Sequence, residues 1–491
     1  MRIAKIRWRS LAYWLTLCCL LMVCVLLLFD NLGVSQVRWA DESRHGVNAY
    51  EMLRNREFLV STYRDEVDYW NLKPPLSMYG IMAGYQLFGY NAFGLRAYSA
   101  GSMLVTMVIL ALWTKKRFGS IASLGTLLFL MASPLVYGDH FARFGDADAL
   151  MALFYVIGLL CMLECPKDIR WLYGSALCFG FAFMAKSWHA ALIPITCLAF
   201  VCVTGDIKKL KWHQYLLLIF FGLLPVLPWA IARFLYDGLD FFIPMFTTDV
   251  VTRATSVHEM HQGEWWYYLA VLLKDPAVLL SGVLCAIAFI RKLLRRTQLH
   301  ADVWGLALWV AVPLVLYSLC VSKLEWYIFV TLPAFAIALG MVMQRLCPQR
   351  KPSNKTFLLR LACLAACFIL LLGMSGINLK AVSATRCEDE YDIMMQSFFN
   401  RERDAGKHVY IQYESENPYS PIDYRAWMQG EVLVAQLAGD VRCFDGGTAA
   451  FVADPQPSYL IAHEVGLETE LLEGCEQVYA WGPLKIYKNN F

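Results

Sequence analysis

The chain carries about eleven apolar runs, near 11–29, 99–114, 119–137, 147–163, 171–185, 188–204, 214–233, 277–290, 302–321, 326–344 and 357–377, separated by polar loops. No other feature constrains the fold as much. Hydrocarbon offers no water to satisfy exposed peptide groups, so a run that crosses a bilayer has to be a helix, and about 20 residues suffice. The shorter runs fit if they are tilted or paired. The apolar share of the whole chain, 58%, lies above the ~45–50% of ordinary soluble domains. The expected fold is therefore an all-α polytopic membrane protein with about eleven transmembrane helices.

Alternate loops are basic: Lys115, Lys116 and Arg117; Lys167 and Arg170; Lys208, Lys209 and Lys211; Arg291, Lys292, Arg295 and Arg296; Arg345, Arg350, Lys351 and Lys355. Arg2, Lys5, Arg7 and Arg9 put the N-terminus in the same set. The positive-inside bias then places the N-terminus in the cytoplasm and the C-terminal tail outside an inner-type membrane, with an odd number of spans. Residues 1–29 have the basic start of a signal peptide. Their apolar run is long for one, however, and no small-x-small cleavage site follows, so the expectation is an uncleaved first helix.

Three pieces fall outside: the loop 30–98, the segment 234–276 and the tail 380–491. The expected division is a membrane domain over 1–379 and a small soluble α/β domain over 380–491. Within the tail, strands are expected at His408–Tyr413, Ser458–Ala462 and Leu484–Tyr487, and helices near 388–405 and 426–438. The net charge of +3 hides a split: the tail holds nine Lys/Arg against eighteen Asp/Glu, leaving the first 379 residues at +12. The basic residues sit in short loops between apolar runs, which does not point to nucleic acid. Thirteen of the 16 cysteines lie in or beside apolar runs, where they act as small hydrophobes. There is no CxxC spacing. Of Cys387, Cys443 and Cys475 in the tail, one disulfide is expected at most, with Cys443–Cys475 the pair chosen.

Charged residues at the outside face are the candidates for chemistry. Asp41-Glu42-Ser43-Arg44-His45 follows the first run directly; an acidic pair there could supply a catalytic base or simply start a helix. Lys73 precedes Pro74 and Pro75, a cation on a stiff segment suited to a phosphate, or else a lysine reaching to the interface. Arg143, Asp146 and Asp148 stand at the start of a later run, where acids also favour a helix N-terminus. Lys186 and Lys323 interrupt runs at the same face. His258, Glu259 and His261 precede Trp265-Trp266-Tyr267-Tyr268; two histidines at that spacing are weak support for a metal site and read equally as interface residues.

The order of motifs resembles the GT-C membrane glycosyltransferases of the aminoarabinose transferase and protein O-mannosyltransferase-like kind, which use a polyprenyl-phosphate-linked sugar. The resemblance rests on the acidic pair after the first helix, Lys73-Pro74-Pro75-Leu76, the stretch 87–96, Ala142-Arg143 through Leu150, Phe183-Met184-Ala185-Lys186, Leu227-Pro228-Trp229, Trp265-Trp266-Tyr267-Tyr268, and Ser322-Lys323 followed by Tyr327 and Leu332-Pro333; it covers about 30–345. It implies Asp41 and Glu42 as catalytic carboxylates, and Lys73, Arg143, Lys186 and Lys323 as cations for the donor phosphate. It implies His45, Asp146, Asp148, His258 and Tyr327 as substrate contacts, with inversion at the anomeric carbon. The partners implied are a polyprenyl-phosphate sugar and a lipid, glycan or protein acceptor. No metal ligands are assigned, although a divalent metal between Asp41, Asp146 or Asp148 and the phosphate is compatible. Two departures stand out: His45 occupies a position where this kind of enzyme usually has Tyr, and Leu72 one where Glu often precedes the Lys. The tail is expected not to be catalytic. A flippase of a lipid-linked sugar, or a membrane-anchored assembly protein, is the alternative of another class.

Overall fold

The computed structural model describes residues 2–37, 41–256, 263–296, 299–347, 354–388, 390–404, 406–412, 429–463, 469–482 and 484–489. The chain opens with α1 (Arg2–Phe29), α2 (Asp41–Asn55), a hairpin of β1 (Thr62–Tyr63) and β2 (Glu66–Val67), α3 (Leu76–Phe88), α4 (Ala92–Phe118) and α5 (Ser120–Ala132). Next come α6 (Asp148–Glu164), α7 (Trp171–Lys186), α8 (Leu192–Thr204), α9 (Trp212–Leu223) and α10 (Val226–Asp237), then short α11 (Phe242–Phe246), α12 (Arg253–Thr255) and α13 (Tyr267–Leu273). The last long helices are α14 (Pro276–Leu294), α15 (Ala301–Leu319), α16 (Leu332–Leu346) and α17 (Asn354–Ser383).

Each of the eleven expected runs falls on a helix or on a closely joined pair. Among the described residues, seven helical stretches are long and apolar enough to cross a bilayer, and an eighth if the bent pair α9–α10 counts as one. The chain is a multi-pass membrane protein. Pro225 stands at the 58° bend between α9 and α10, where its missing N–H interrupts the helical ladder. Gly119, at φ 117°, separates α4 from α5, and any Cβ there would lie 2.8 Å from the Gln344 side chain. That close approach seats α16 on α5 in the centre of the bundle.

The tail contains α18 (Glu390–Arg401), β3 (His408–Gln412), α19 (Gln429–Gly439), β4 (Arg442–Phe444), α20 (Gly447–Ala453), β5 (Ser458–His463), β6 (Glu476–Trp481) and β7 (Leu484–Lys488). The strands form one sheet in the order β4-β3-β5-β7-β6, parallel through β4, β3 and β5 and antiparallel beyond. The three expected strands and two expected helices are present. The sequence gives no warning of β4 and β6: β4 is three residues long, and β6 is a largely exposed edge without alternation. Among the described residues every cysteine is a free thiol. The pairing Cys443–Cys475 does not form, because β4 carries Cys443 at one edge of the sheet while Cys475 precedes β6 at the other. Four strand spacings separate those edges, about 19 Å, far beyond the reach of a disulfide.

Two cores result. The larger lies inside the helix bundle. The second is shared: Val47, Tyr50 and Met52 of α2 and Met78 of α3 pack with Phe398, Phe399, Leu433 and Ile461 of the tail. Gly46 lets α2 and α19 touch, since a Cβ there would meet the Leu433 side chain at 2.6 Å. The tail therefore sits directly on the helix that begins at Asp41.

Candidate active site

The site grows from three segments. The first is the start of α2, where Asp41 and Glu42 occupy the first turn and their charge is favoured by the exposed N–H groups of the helix end. Asp41 is half-buried and pairs with Arg44 one turn on. Glu42 is buried and points elsewhere: Arg96 of α4 donates Nε and Nη2 to its two oxygens at 2.6 and 2.8 Å, and the Gly145 N–H adds a third bond at 2.8 Å. Arg96 also donates to the carbonyls of Leu32, Ser35 and Gln36. The Glu42–Arg96 pair thus ties together the end of α1, the start of α2, α4 and the turn before α6.

The second segment carries Lys73. The Asp68 carboxylate accepts from the Trp70 and Asn71 N–H groups and, at 2.9 Å, from Asn48 of α2, while Asn71 donates to Asn48 Oδ1 at 2.6 Å. These bonds fold 68–71 against α2. Pro74 and Pro75 then stiffen the entry to α3, fixing Lys73 between two anchored points. Lys73 is half-buried and close enough for its charge to act on His45.

The third segment is the turn between Gly138 and α6. Asp146 is wholly buried. His140 Nδ1 lies 2.5 Å from its Oδ2, the Ala147 N–H donates to Oδ1 at 2.7 Å, and His45 Nδ1 stands 3.5 Å from Oδ1. Burial alone would raise the Asp146 carboxyl, but the His140 hydrogen bond and the charge of Lys186 outweigh it and hold it well below the usual carboxylate range. His140 takes a left-handed backbone, φ 61°, and stacks on Trp326 with ring centres 3.7 Å apart. One donor atom each from Asp41, His140 and Asp146 lies within 4.8 Å of the others. His45 is wholly buried, and neither ring nitrogen has a hydrogen-bond partner among the described residues. Burial, then Lys73, pushes its pKa well below that of an ordinary histidine, so the ring is neutral.

Beside this cluster Asp148, the first residue of α6, pairs with Lys186 at the end of α7, both buried. The Lys186 ammonium lies 5.5 Å from the centre of the Tyr327 ring, which itself packs on His189 and Tyr317.

Of the residues singled out in the sequence, the fold brings Asp41, His45, Asp146, Asp148, Lys73, Lys186 and Tyr327 into this neighbourhood. Arg143 is turned to the end of α1, donating to the Leu27 and Asp30 carbonyls at 2.9 and 2.8 Å. Lys323 donates to the Cys320 carbonyl at the end of α15. His258 lies outside the described residues. His140, two residues before Ala142-Arg143, is a site residue not singled out in the sequence; a histidine directly after Asp139 was the available signal. Nor was Arg233 of α10, which with Lys73, Ser61 and Trp229 lines a small cavity and pairs with Asp237 at 2.5 Å.

Known proteins resemble the chain in both sequence and fold. The family described as Dolichyl-phosphate-mannose-protein mannosyltransferase matches residues 72–231. The undecaprenyl phosphate-alpha-4-amino-4-deoxy-L-arabinose arabinosyl transferase 2 of Pseudomonas fluorescens is 27% identical over 61% of this chain and 54% of its own length. The corresponding transferase of Aeromonas hydrophila is 29% identical over 62% and 54%. The crystal structure of ArnT from Cupriavidus metallidurans bound to undecaprenyl phosphate superposes with a TM-score of 0.68 at 18% identity, covering 97% of this chain and 98% of that one. The chain has the GT-C fold of that structure and is similar in sequence to the aminoarabinose transferases. The match to the curated relatives spans about half their length, whereas the GT-C fold is shared over nearly the whole chain, sheet-bearing tail included.

Proposed function

We propose that this GT-C protein transfers a sugar from a polyprenyl-phosphate donor to an extracytoplasmic acceptor, which is a lipid, a glycan or a protein. The observation that carries this reading is convergence: Asp41 of α2 meets His140 and Asp146 of the distant turn before α6 within 4.8 Å, and the charge of Lys73 acts on the neighbouring His45. Ionisable groups gathered at one end of a helix bundle serve chemistry at a headgroup, whereas a transporter needs them near mid-depth on broken helices. The name of the superposed structure, bound to undecaprenyl phosphate, supports the donor class.

Asp41 accepts the proton of the acceptor hydroxyl as its oxygen attacks the anomeric carbon. The bond from that carbon to the phosphate oxygen breaks, and the polyprenyl phosphate departs with the bonding pair. Lys73 meets the charge that develops on it. A single displacement inverts the anomeric centre. Asp146, held by His140 with His45 alongside, orients the cluster, and neutral His45 offers a ring nitrogen to a sugar hydroxyl. Asp148 with Lys186 and Tyr327 completes the wall. Glu42 acts by positioning α2. The donor set of Asp41, His140 and Asp146, two oxygens and one nitrogen, fits a divalent cation, which would add positive charge beside the leaving phosphate. Arg143 and Lys323 serve the ends of α1 and α15. The N-terminus faces the cytoplasm, and the site and tail face outward.

The test is transfer from a panel of radiolabelled polyprenyl-phosphate sugars in membranes, wild type against Asp41→Asn at matched expression. Consumption of one donor by wild type and not by the variant is the expected result. Equal consumption by both, or lipid movement across vesicles without cleavage, overturns the proposal.

A further inference from the structure

Away from the site, α14 and α15 both pack on α16 and leave a groove of about 440 Å³ between them. Its walls are apolar, among them Phe289, Val303, Leu306, Leu314 and Phe335. Its charged lining residues are Lys292 and Arg345. Both stand near the ends of α14 and α16 farther from the site, because α14 starts beside Asp275, which binds Ser133 after α5, and α16 starts after Tyr327. From Lys292 to Gly282, the limits of the groove along α14, the helix rises about 15 Å. That is the depth of one leaflet of a bilayer whose hydrocarbon core is about 30 Å thick. The groove thus runs from headgroup level to mid-membrane, with its cations at the headgroup end. The floor is open: among the described residues, nothing beyond the local backbone of α14 lies within 4 Å of where a Cβ on Gly282 would sit. α14 also presents Leu279, Val283, Ile287 and Ile290 outward, so this face meets lipid.

We propose that this groove seats one acyl chain of an anionic phospholipid whose phosphate pairs with Lys292 and Arg345. Charge complementarity selects the occupant. A second groove of about 440 Å³, among α7, α8 and α9, is lined by Phe179, Leu198, Tyr215 and other side chains without a single charge. It can hold hydrocarbon but cannot recognise a headgroup. Arg291 and Arg295, exposed near the same end, extend the positive field around Lys292. The donor lipid does not fit this geometry: with its phosphate at Lys73 it occupies the opposite leaflet. The exclusion of the donor lipid rests on the transferase reading, whereas lipid retention is read without any turnover.

The experiment uses the purified chain, delipidated and given equal amounts of phosphatidylglycerol, phosphatidylethanolamine and undecaprenyl phosphate, with bound lipid counted by native mass spectrometry. Wild type is expected to retain phosphatidylglycerol in preference. Lys292→Gln with Arg345→Gln should lower that preference by about fivefold per cation removed. Gly282→Phe, which fills open space, should lower retention of both phospholipids, while Gly282→Ala should leave it unchanged. Thermal unfolding of each variant shows that it is folded, and either change alone decides the matter. Equal retention of the two phospholipids by wild type, or an undiminished preference in the charge variant, overturns the proposal. Selective retention of undecaprenyl phosphate that the charge variant loses overturns it as well and gives the groove to the donor.

Discussion

Asp41 and Glu42 are neighbours of the same chemical kind, and their environments send them to different tasks. Glu42 is 1% exposed and spends both oxygens on Arg96 and the Gly145 N–H. Removing one partner of such a pair leaves an uncompensated buried charge and costs about 3–5 kcal/mol. Glu42→Ala is therefore expected to lower the thermal unfolding midpoint and the yield of folded protein. Glu42→Ala with Arg96→Met, which removes both charges, should recover part of the loss; equal damage in single and double variants would show that the pair is not coupled. Asp41 is half-buried, and among the described residues its side-chain ion pair is the local one with Arg44. Asp41→Asn is expected to leave the unfolding midpoint within about a degree and to reduce transfer by roughly 10²–10⁴-fold, the usual contribution of a positioned base. A stable but active Asp41→Asn protein would remove Asp41 from the chemistry. Sequence alone marked both acids and could not separate them, because what separates them is Arg96, a residue of α4 that only folding brings near. The same holds for His140, which becomes a site residue by stacking on Trp326.

At the level of elements, α2 is the hinge of the arrangement: its start serves the site and its opposite face holds the tail. Tyr50 donates to Asp440, Arg54 pairs with Asp440 at 2.8 Å, and Gln436 donates to Glu51 at 2.9 Å. Gly46→Leu is expected to pry α19 from α2 and to reduce transfer without touching any group in contact with substrate. Gly46→Ala alone should show part of the same loss, since its Cβ meets Leu433 at 2.6 Å, and adding Leu433→Ala, which opens room for the new methyl, should restore transfer. No recovery in that double variant would mean that Gly46 acts otherwise. Glu51 adds a pH dependence. Burial raises its carboxyl to about 7 against the N–H groups of Arg64 and Asp65, the Gln436 amide and Thr62, which favour the charged form. The folded pKa exceeds the unfolded value of about 4.3, so the folded protein holds the extra proton between the two. The stability this confers is full below the unfolded value and is lost as pH rises through about 7, by up to about 3 kcal/mol at high pH. Amide exchange along α2 and α19 is expected to quicken from pH 6 to pH 8 beyond its intrinsic rise, and Glu51→Gln should abolish that excess. An unchanged pH profile in Glu51→Gln would assign the effect to another group.

For the whole molecule, the sequence showed most of what hydrophobic runs can show. Every expected membrane run became helical because a bilayer permits little else, and the tail's strands β3, β5 and β7 were visible where short apolar stretches were bounded by polar turns. The bend between α9 and α10, the edge strands β4 and β6, and the separation of Cys443 from Cys475 were not visible, since each depends on which elements end up adjacent. The border expected at residue 380 is the most instructive difference. Composition changes there, from basic and apolar to acidic, yet the second core runs across it, joining Val47, Tyr50, Met52 and Met78 to Phe398, Phe399 and Leu433. Treated as an appendage, the tail could be removed with little effect on donor hydrolysis. With a shared core the outcome differs, because deleting 390–491 strips the apolar cover from one face of α2 and α3 and releases the helix that aims Asp41. The truncated chain is expected to lose donor hydrolysis together with acceptor transfer, and to show protease cleavage within 46–63 that the full chain resists. Donor hydrolysis at the full-length rate by a truncated protein that keeps α2 protected would restore the view of the tail as a separate module, and would leave the α2 side of the second core without a role in the chemistry.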